Sequence, residues 1–415
     1  MIIRNAKVFR ESGIFEDGDI AIEGELFAEA SGAGASGAGV SGAGASGAGV
    51  SGAGASETGA SGTGASEVGA LETGADESFD AGGCYAIPGL VDIHFHGCAG
   101  HDFSVADEEQ LAAMARFQAS RGTTAICPAT LTLPEEQLAA ACRRISALSD
   151  PEGADVVGIH LEGPFFSYNK RGAQNPDHLR LPDADMVHRL QKEAGGMIKL
   201  LAIAPELEGA IEVIEELSKE MRISVAHTEA DYETAMKAFE HGARQATHLF
   251  NGMPAFNHRE PGVVGAARDY AGCSAELICD GVHIHPSVVR AVFAMFGDDR
   301  IIMISDSLMA AGMEDGIWDI GGLELEVKGR YARITSTGSL AGSITTLMGC
   351  LRTAVTEMDI PLASAVKCCT INPAKAIGAY DKHGSITPGK YADLVLLGED
   401  LSIRNVFLRG QKLDI

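Results

Sequence analysis

Residues 88–97 read PGLVDIHFHG, an apolar run that ends on two histidines spaced by one residue. Runs of the same kind recur at 87–95, 122–129, 155–161, 197–204, 222–226, 244–249, 274–279 and 300–305. Between most of them lie amphipathic stretches, at 107–120, 135–148, 208–220, 231–241 and 286–296. Eight short apolar runs alternating with helical ones predict an α/β chain folded as a (β/α)₈ TIM-like barrel. A doubly wound sheet is the competing architecture, but no G-x-G-x-x-G follows the first run.

Outside this region the chain changes character. Residues 2–9 and 19–27 read as short strands, and the closing stretch 384–413, GSITPGKYADLVLLGEDLSIRNVFLRGQKL, reads as strands and turns. Both ends are therefore expected to build one small β-sandwich domain, from 1–88 and 378–415, around a barrel at 89–377. Residues 31–70 repeat SGAGASGAGV and drift to SGTGASEVGA. Gly, Ala and Ser offer too little apolar surface to bury a core, which points to a flexible surface insertion rather than a domain. Silk-like stacking that joins molecules is the other reading of this composition. The 57 acidic and 32 basic side chains leave a formal charge of −25. That balance argues against a nucleic-acid face and against docking on anionic membrane. No segment has the roughly 18 unbroken apolar residues of a membrane span. The N-terminus lacks the pattern of a signal peptide. Nine scattered cysteines without a C-x-x-C pair suit reduced, buried thiols in a cytoplasmic protein.

The polar residues at the ends of the runs carry the chemistry. His94 and His96 close the first run and Glu162 the third (VVGIHLE). His227 closes the fifth (ISVAHT), His248 the sixth (QATHLFNG) and Asp306 the eighth (IIMISDS). In a barrel, catalytic groups project from the C-terminal ends of several strands, and an i, i+2 pair shares one face. Any one of these residues alone is ordinary: a histidine is more often a satisfied polar group, and an aspartate a helix cap. Together, nitrogen and carboxylate ligands without a thiolate cluster suit Zn²⁺, with Fe²⁺, Mn²⁺ or Co²⁺ as further candidates. Such an ion would activate water near neutral pH, and Asp306 could shuttle its proton. His160 sits two residues before Glu162 and deeper in the run, a place for supporting a ligand.

The ordered series PGLVDIHFHG, HLEGPF, AHT, ATHLFNGMPAFNHREPG, CDGVHI and SDS resembles the amidohydrolase superfamily, and within it the N-acetylglucosamine-6-phosphate deacetylases. The resemblance covers residues 85–395; HLEGPF and THLFNGMPAFNHREPG are its specific parts. It implies Glu162, His227 and His248 around a principal metal, with His94 and His96 holding a second that Glu162 bridges. One or two ions per chain follow, and retention of H-x-H favours two. It places Asp306 as general base and then acid. It puts substrate contacts at Ala173, Gln174, Asn251, Gly252, Arg259, Asp280, Gly281, Val282, His283, Leu340, Ala341 and Gly342. Arg259 would be the fork for a phosphate. Some relatives have His where this chain has Gln174, so the metal would carry more of the carbonyl polarisation here. Gly252 and Ser307 stand where Ala is usual.

The expected activity is hydrolysis of N-acetyl-D-glucosamine 6-phosphate to D-glucosamine 6-phosphate and acetate, by a homodimer acting on this small molecule. The N-acetylgalactosamine 6-phosphate epimer is a rival substrate. Another amidohydrolase activity, deamination or cyclic-amide hydrolysis, is argued against by Arg259. A non-catalytic protein assembled through the Gly-Ala repeat is the rival from another class.

Overall fold

The computed structural model describes residues 1–29 and 78–414, so the 31–70 repeat lies outside the described residues. Eight parallel barrel strands occupy the predicted runs: Leu90–Asp92, Thr123–Ile126, Asp155–Val156 continued as Ile159–Glu162, Ile198–Ile203, Arg222–Val225, Gln245–Ala246, Ser274–Ile278 and Ile301–Ile304. They pair in sequence order in two arcs. The chain beyond the first strand closes the circle. Ala129 N–H donates to Phe95 O (2.8 Å), Asp306 N–H to His94 O (2.9 Å) and His96 N–H to Ser307 O (2.7 Å). A one-residue bridge, Ala129 to His160, ties the second strand to the third. These bonds pair backbone groups that a buried sheet cannot leave unsatisfied.

The connecting helices start where their sequences supply caps. Asp107 opens Glu108–Ser120 with a full capping box to Gln110, and Asp231 accepts Thr234 N–H at the head of Tyr232–Glu240. Five helices match amphipathic stretches of the sequence. Ala184–Glu193 and Gly262–Asp269 were not anticipated, for different physical reasons. The first buries only Met186, Val187 and Leu190, too thin a stripe to stand out. The second begins GVVG, and two glycines weaken any helical signal, yet its first six residues are all buried. Tertiary packing overrides propensity there.

After the eighth strand the chain adds an antiparallel meander, Gly316–Ile320, Leu323–Lys328 and Tyr331–Ile334, before helices Leu347–Thr356, Leu362–Cys369 and Ile371–Ala376. The two ends of the chain then share one eight-stranded sheet, with Tyr85–Pro88 central between Ile2–Phe9 and Leu394–Leu397. Register is set by pairs such as Pro88 with Leu394 and Ile87 with Val395. Ile3, Val8, Ile20, Phe27, Leu394 and Phe407 belong to its separate core, while Ile87, Val395 and Leu408 pack into the main one. Arg409 pairs with Asp155 at the foot of the barrel. All nine cysteines are free thiols. No helix among the described residues is long and apolar enough to cross a membrane.

Candidate active site and metal centre

The C-terminal rim of the barrel gathers the polar residues that end the strands. Glu162, the last residue of the third strand, is buried at the centre. Its Oε1 lies 3.2 Å from His94 Nε2, 3.3 Å from His227 Nε2 and 3.3 Å from His248 Nε2. Its Oε2 lies 3.1 Å from His96 Nε2 and accepts Gln174 Nε2–H at 2.8 Å. Asp306 Oδ1 stands 3.5 Å from His96 Nε2 and 3.7 Å from His94 Nε2. Six groups from five strands thus converge, in two adjoining triads: Glu162, His227, His248 and His94, His96, Asp306.

Local backbone geometry makes this convergence. His227, His248 and Asp306 follow their strands with φ of 44°, 26° and 47°. This left-handed region is uncommon for residues other than glycine, and it turns each side chain inward over the rim. Gly342 allows a second close approach. A Cβ there would stand 2.4 Å from Asp306 O, and the next residue, Ser343, donates its N–H to that same oxygen at 2.7 Å.

Hydrogen bonds fix which ring nitrogens carry protons. His227 Nδ1 faces Lys170 O at 2.8 Å and His248 Nδ1 faces Asn251 O at 3.1 Å. A carbonyl only accepts, so both Nδ1 atoms are protonated donors. Their Nε2 atoms lie 3.1 Å apart. Two imidazole lone pairs facing each other beside a carboxylate oxygen repel unless a cation lies between them. His94 Nδ1 donates to Glu276 Oε2 at 2.9 Å, and its Nε2 turns toward Glu162 without a hydrogen-bond partner. Burial works against the charge on Glu162, yet the histidines around it prevail and hold its carboxyl well below the usual range. The donor set fits a divalent cation, and the rim is a divalent-metal site.

The cavity above this point is lined by His96, Leu131, Glu162, Gly172, Ala173, Gln174, His227, His248, Asn251, Gly252, His283, Asp306, Leu308, Ile320 and Leu340–Gly342. Most residues expected to touch substrate therefore meet there. His94 lies beneath, fully buried. Asp280 does not line the cavity but holds His283, its Oδ2 being 2.8 Å from Nδ1 while Nε2 donates to Ala341 O at 2.9 Å. With only acceptors at both nitrogens, His283 is an imidazolium. Burial works against charge in both members of this pair. Their mutual attraction outweighs it, lowering the Asp280 carboxyl and raising the His283 ring. Gly281 and Val282 form the turn between them, Val282 N–H donating to Asp280 Oδ1 at 2.9 Å. Arg259 is not brought into the cavity; it is exposed on the loop 251–261 and lines a separate depression with Glu229, Asp231 and Glu260.

His160 packs edge-to-face on His94, ring centroids 4.5 Å apart, and neither of its nitrogens has a hydrogen-bond partner. Burial pushes its pKa well down, so the ring is neutral. It steadies His94 by contact. Sequence reasoning missed Glu276, whose only signal was a charge inside an apolar strand, and the wall residues Leu131, Leu308 and Ile320. The last comes from the meander, far from any motif.

A model of the amidohydrolase family matches residues 85–413. The chain is 37% identical over 330 residues to the N-acetylglucosamine-6-phosphate deacetylase of Bacillus subtilis (strain 168), covering 78% of this chain and 83% of that one. The crystal structure of N-acetyl-D-glucosamine-6-phosphate deacetylase from Mycobacterium smegmatis is similar over the full length of both chains, with 28% identity and a TM-score of 0.83. A D267A mutant of the Mycobacterium smegmatis protein, in complex with N-acetyl-D-glucosamine-6-phosphate, is 32% identical over 83% of this chain and 90% of that one, with a TM-score of 0.76.

Proposed function

The chain belongs to the amidohydrolase family, and from that membership we propose that it hydrolyses the acetamide of N-acetyl-D-glucosamine 6-phosphate, releasing D-glucosamine 6-phosphate and acetate. The observation that carries the reading is the set of imidazole nitrogens turned on the Glu162 carboxylate, above which a cavity opens. Glu162, His227 and His248 would hold one ion, and His94 and His96 a second, with Asp306 in the same cluster. Zinc suits these ligands best. When bound, the ions supply Lewis acidity that polarises the acetyl carbonyl and brings a water to near-neutral acidity.

The chain's own residues do the rest. Asp306 accepts a proton from the attacking water as the new C–O bond forms at the acetyl carbon. It then returns the proton to the sugar nitrogen as the C–N bond breaks, so that a neutral amine leaves. Gln174 is oriented by accepting Thr132 N–H at 2.7 Å while donating to Glu162. Its second amide hydrogen is directed to the substrate carbonyl. Ala173, Asn251, Gly252 and the stretch Leu340–Gly342 bind the sugar, and Asp280–His283 closes that side of the cavity. Arg259 takes the phosphate, which requires movement of its loop or delivery from the second subunit of a homodimer. The protein works in the cytoplasm.

Acetate release, measured together with metal content, tests the reading. Protein prepared without chelators should carry one or two ions per chain and cleave the gluco epimer with the higher kcat/KM. A metal-free active enzyme would overturn the mechanism. A strong preference for N-acetylgalactosamine 6-phosphate would overturn the substrate.

A further inference from the structure

Glu276 lies in the middle of the seventh barrel strand, fully buried, and has no place in the reaction steps above. Among the described residues no Lys or Arg lies within ion-pair distance of it. Its carboxylate is instead the middle link of a polar chain from Arg222 to His94. Arg222 donates from Nε to Gln245 Oε1. Gln245 donates from Nε2 to Glu276 Oε1. On the other side, Glu276 Oε2 accepts His94 Nδ1–H at 2.9 Å and the backbone N–H of His248 at 3.2 Å.

The polarity of this chain has a single solution. A guanidinium can only donate, so the Gln245 carbonyl faces Arg222 and its amide nitrogen faces Glu276. The His248 backbone N–H can also only donate. Both oxygens at position 276 must therefore accept, which a carboxylate does and a carboxamide cannot. His94 Nδ1 therefore donates, which leaves Nε2 as the ring nitrogen turned to the rim.

We infer that Glu276 is a positioning residue of the metal centre: anchored through Gln245 by Arg222, it fixes His94 in the ligating tautomer and holds the left-handed backbone of His248. One buried carboxylate thus serves a ligand in each triad. The inference rests on the reading of the rim as a metal site. It adds a dependence of both ions on a residue that touches neither.

The test compares wild-type protein with Glu276→Gln, both as holoenzyme dialysed against the same zinc-buffered solution. Ions per chain are counted by mass spectrometry, and affinity is measured by competition with a chromophoric chelator. The variant should bind zinc about 10–100-fold more weakly, the range found when carboxylates behind metal-bound histidines are changed. Melting of both metal-free proteins checks the fold. A merely structural role would lower that melting temperature and leave zinc affinity unchanged, and this result would overturn the inference. Should the variant not fold, ring-¹⁵N NMR of the wild-type holoenzyme decides the matter, His94 being assigned with His94→Gln. A protonated Nδ1 with a zinc-bound Nε2 is expected; the opposite arrangement overturns the inference. Wild-type protein that takes up no zinc would instead defeat the reading of the site itself.

Discussion

Asp306 illustrates how much one residue is asked to do. Its backbone closes the barrel against His94, its φ is 47°, and its carboxylate stands within 4 Å of two histidines. Asp306→Asn keeps the shape and removes the proton shuttle. The expected result is a fall in kcat of about 10²–10⁴-fold with KM and ion content little changed. Steady-state kinetics with metal analysis check this, and near-normal turnover would remove Asp306 from the mechanism. The Asp280–His283 pair makes a pH-dependent contribution to stability. The lowered Asp280 pKa gives stability that is full above its unfolded value, about 3.9, and is lost as pH falls through the folded one. The raised His283 pKa gives stability that is full below about 6.5 and is lost as pH rises through the folded value. The deficit in melting temperature of Asp280→Asn against wild type should therefore be largest between about pH 4 and 6.5 and shrink on either side. A deficit independent of pH would show that the pair is not ionic.

At the scale of elements, the rim is shaped by segments distant in sequence that meet at close range. The stretch 339–343 runs back from the meander to pair with the end of the eighth strand, Ser343 bridging Ser307. Gly342→Ala would drive a methyl group onto the Asp306 carbonyl. We expect kcat to fall at least about tenfold, with the barrel still folded, because displacements of this size misalign reacting groups. Circular dichroism and kinetics separate the two effects, and unchanged kcat would mean that the contact relaxes freely. The same contrast explains what the sequence could reveal. The strands, their order and the positions of the His, Glu and Asp residues that converge at the rim were legible because each is a local signal: an apolar run that ends abruptly on His, Glu or Asp. The meander was not, because GIWDIGGLELEVKGRYARI only shows its value once Ile320 is seen at the cavity wall. Glu276 was hidden for a related reason. Its role depends on Gln245 and Arg222 from neighbouring strands, and no spacing along the chain connects them.

For the molecule as a whole, the small sheet joins both ends of the chain and contributes no residue to the lining of the cavity. Removal of residues 31–70 is predicted to leave kcat/KM for deacetylation within about twofold, since a change in chain length between fixed ends costs little free energy. Loss of activity together with loss of assembly would favour a scaffolding role for the repeat. The left-handed turns at His227, His248 and Asp306 reach beyond catalysis. Each costs on the order of 1 kcal/mol in the folded chain, against a total stability of only about 5–15 kcal/mol. Glycine would relieve that strain at each position and would also dissolve the crowding of like-facing lone pairs. Metal-free Asp306→Gly is therefore expected to melt no lower than metal-free wild type, a comparison that calorimetry can make. Any selection acting on thermostability alone would erode these three positions first, so the purpose of the enzyme is what keeps its rim under tension.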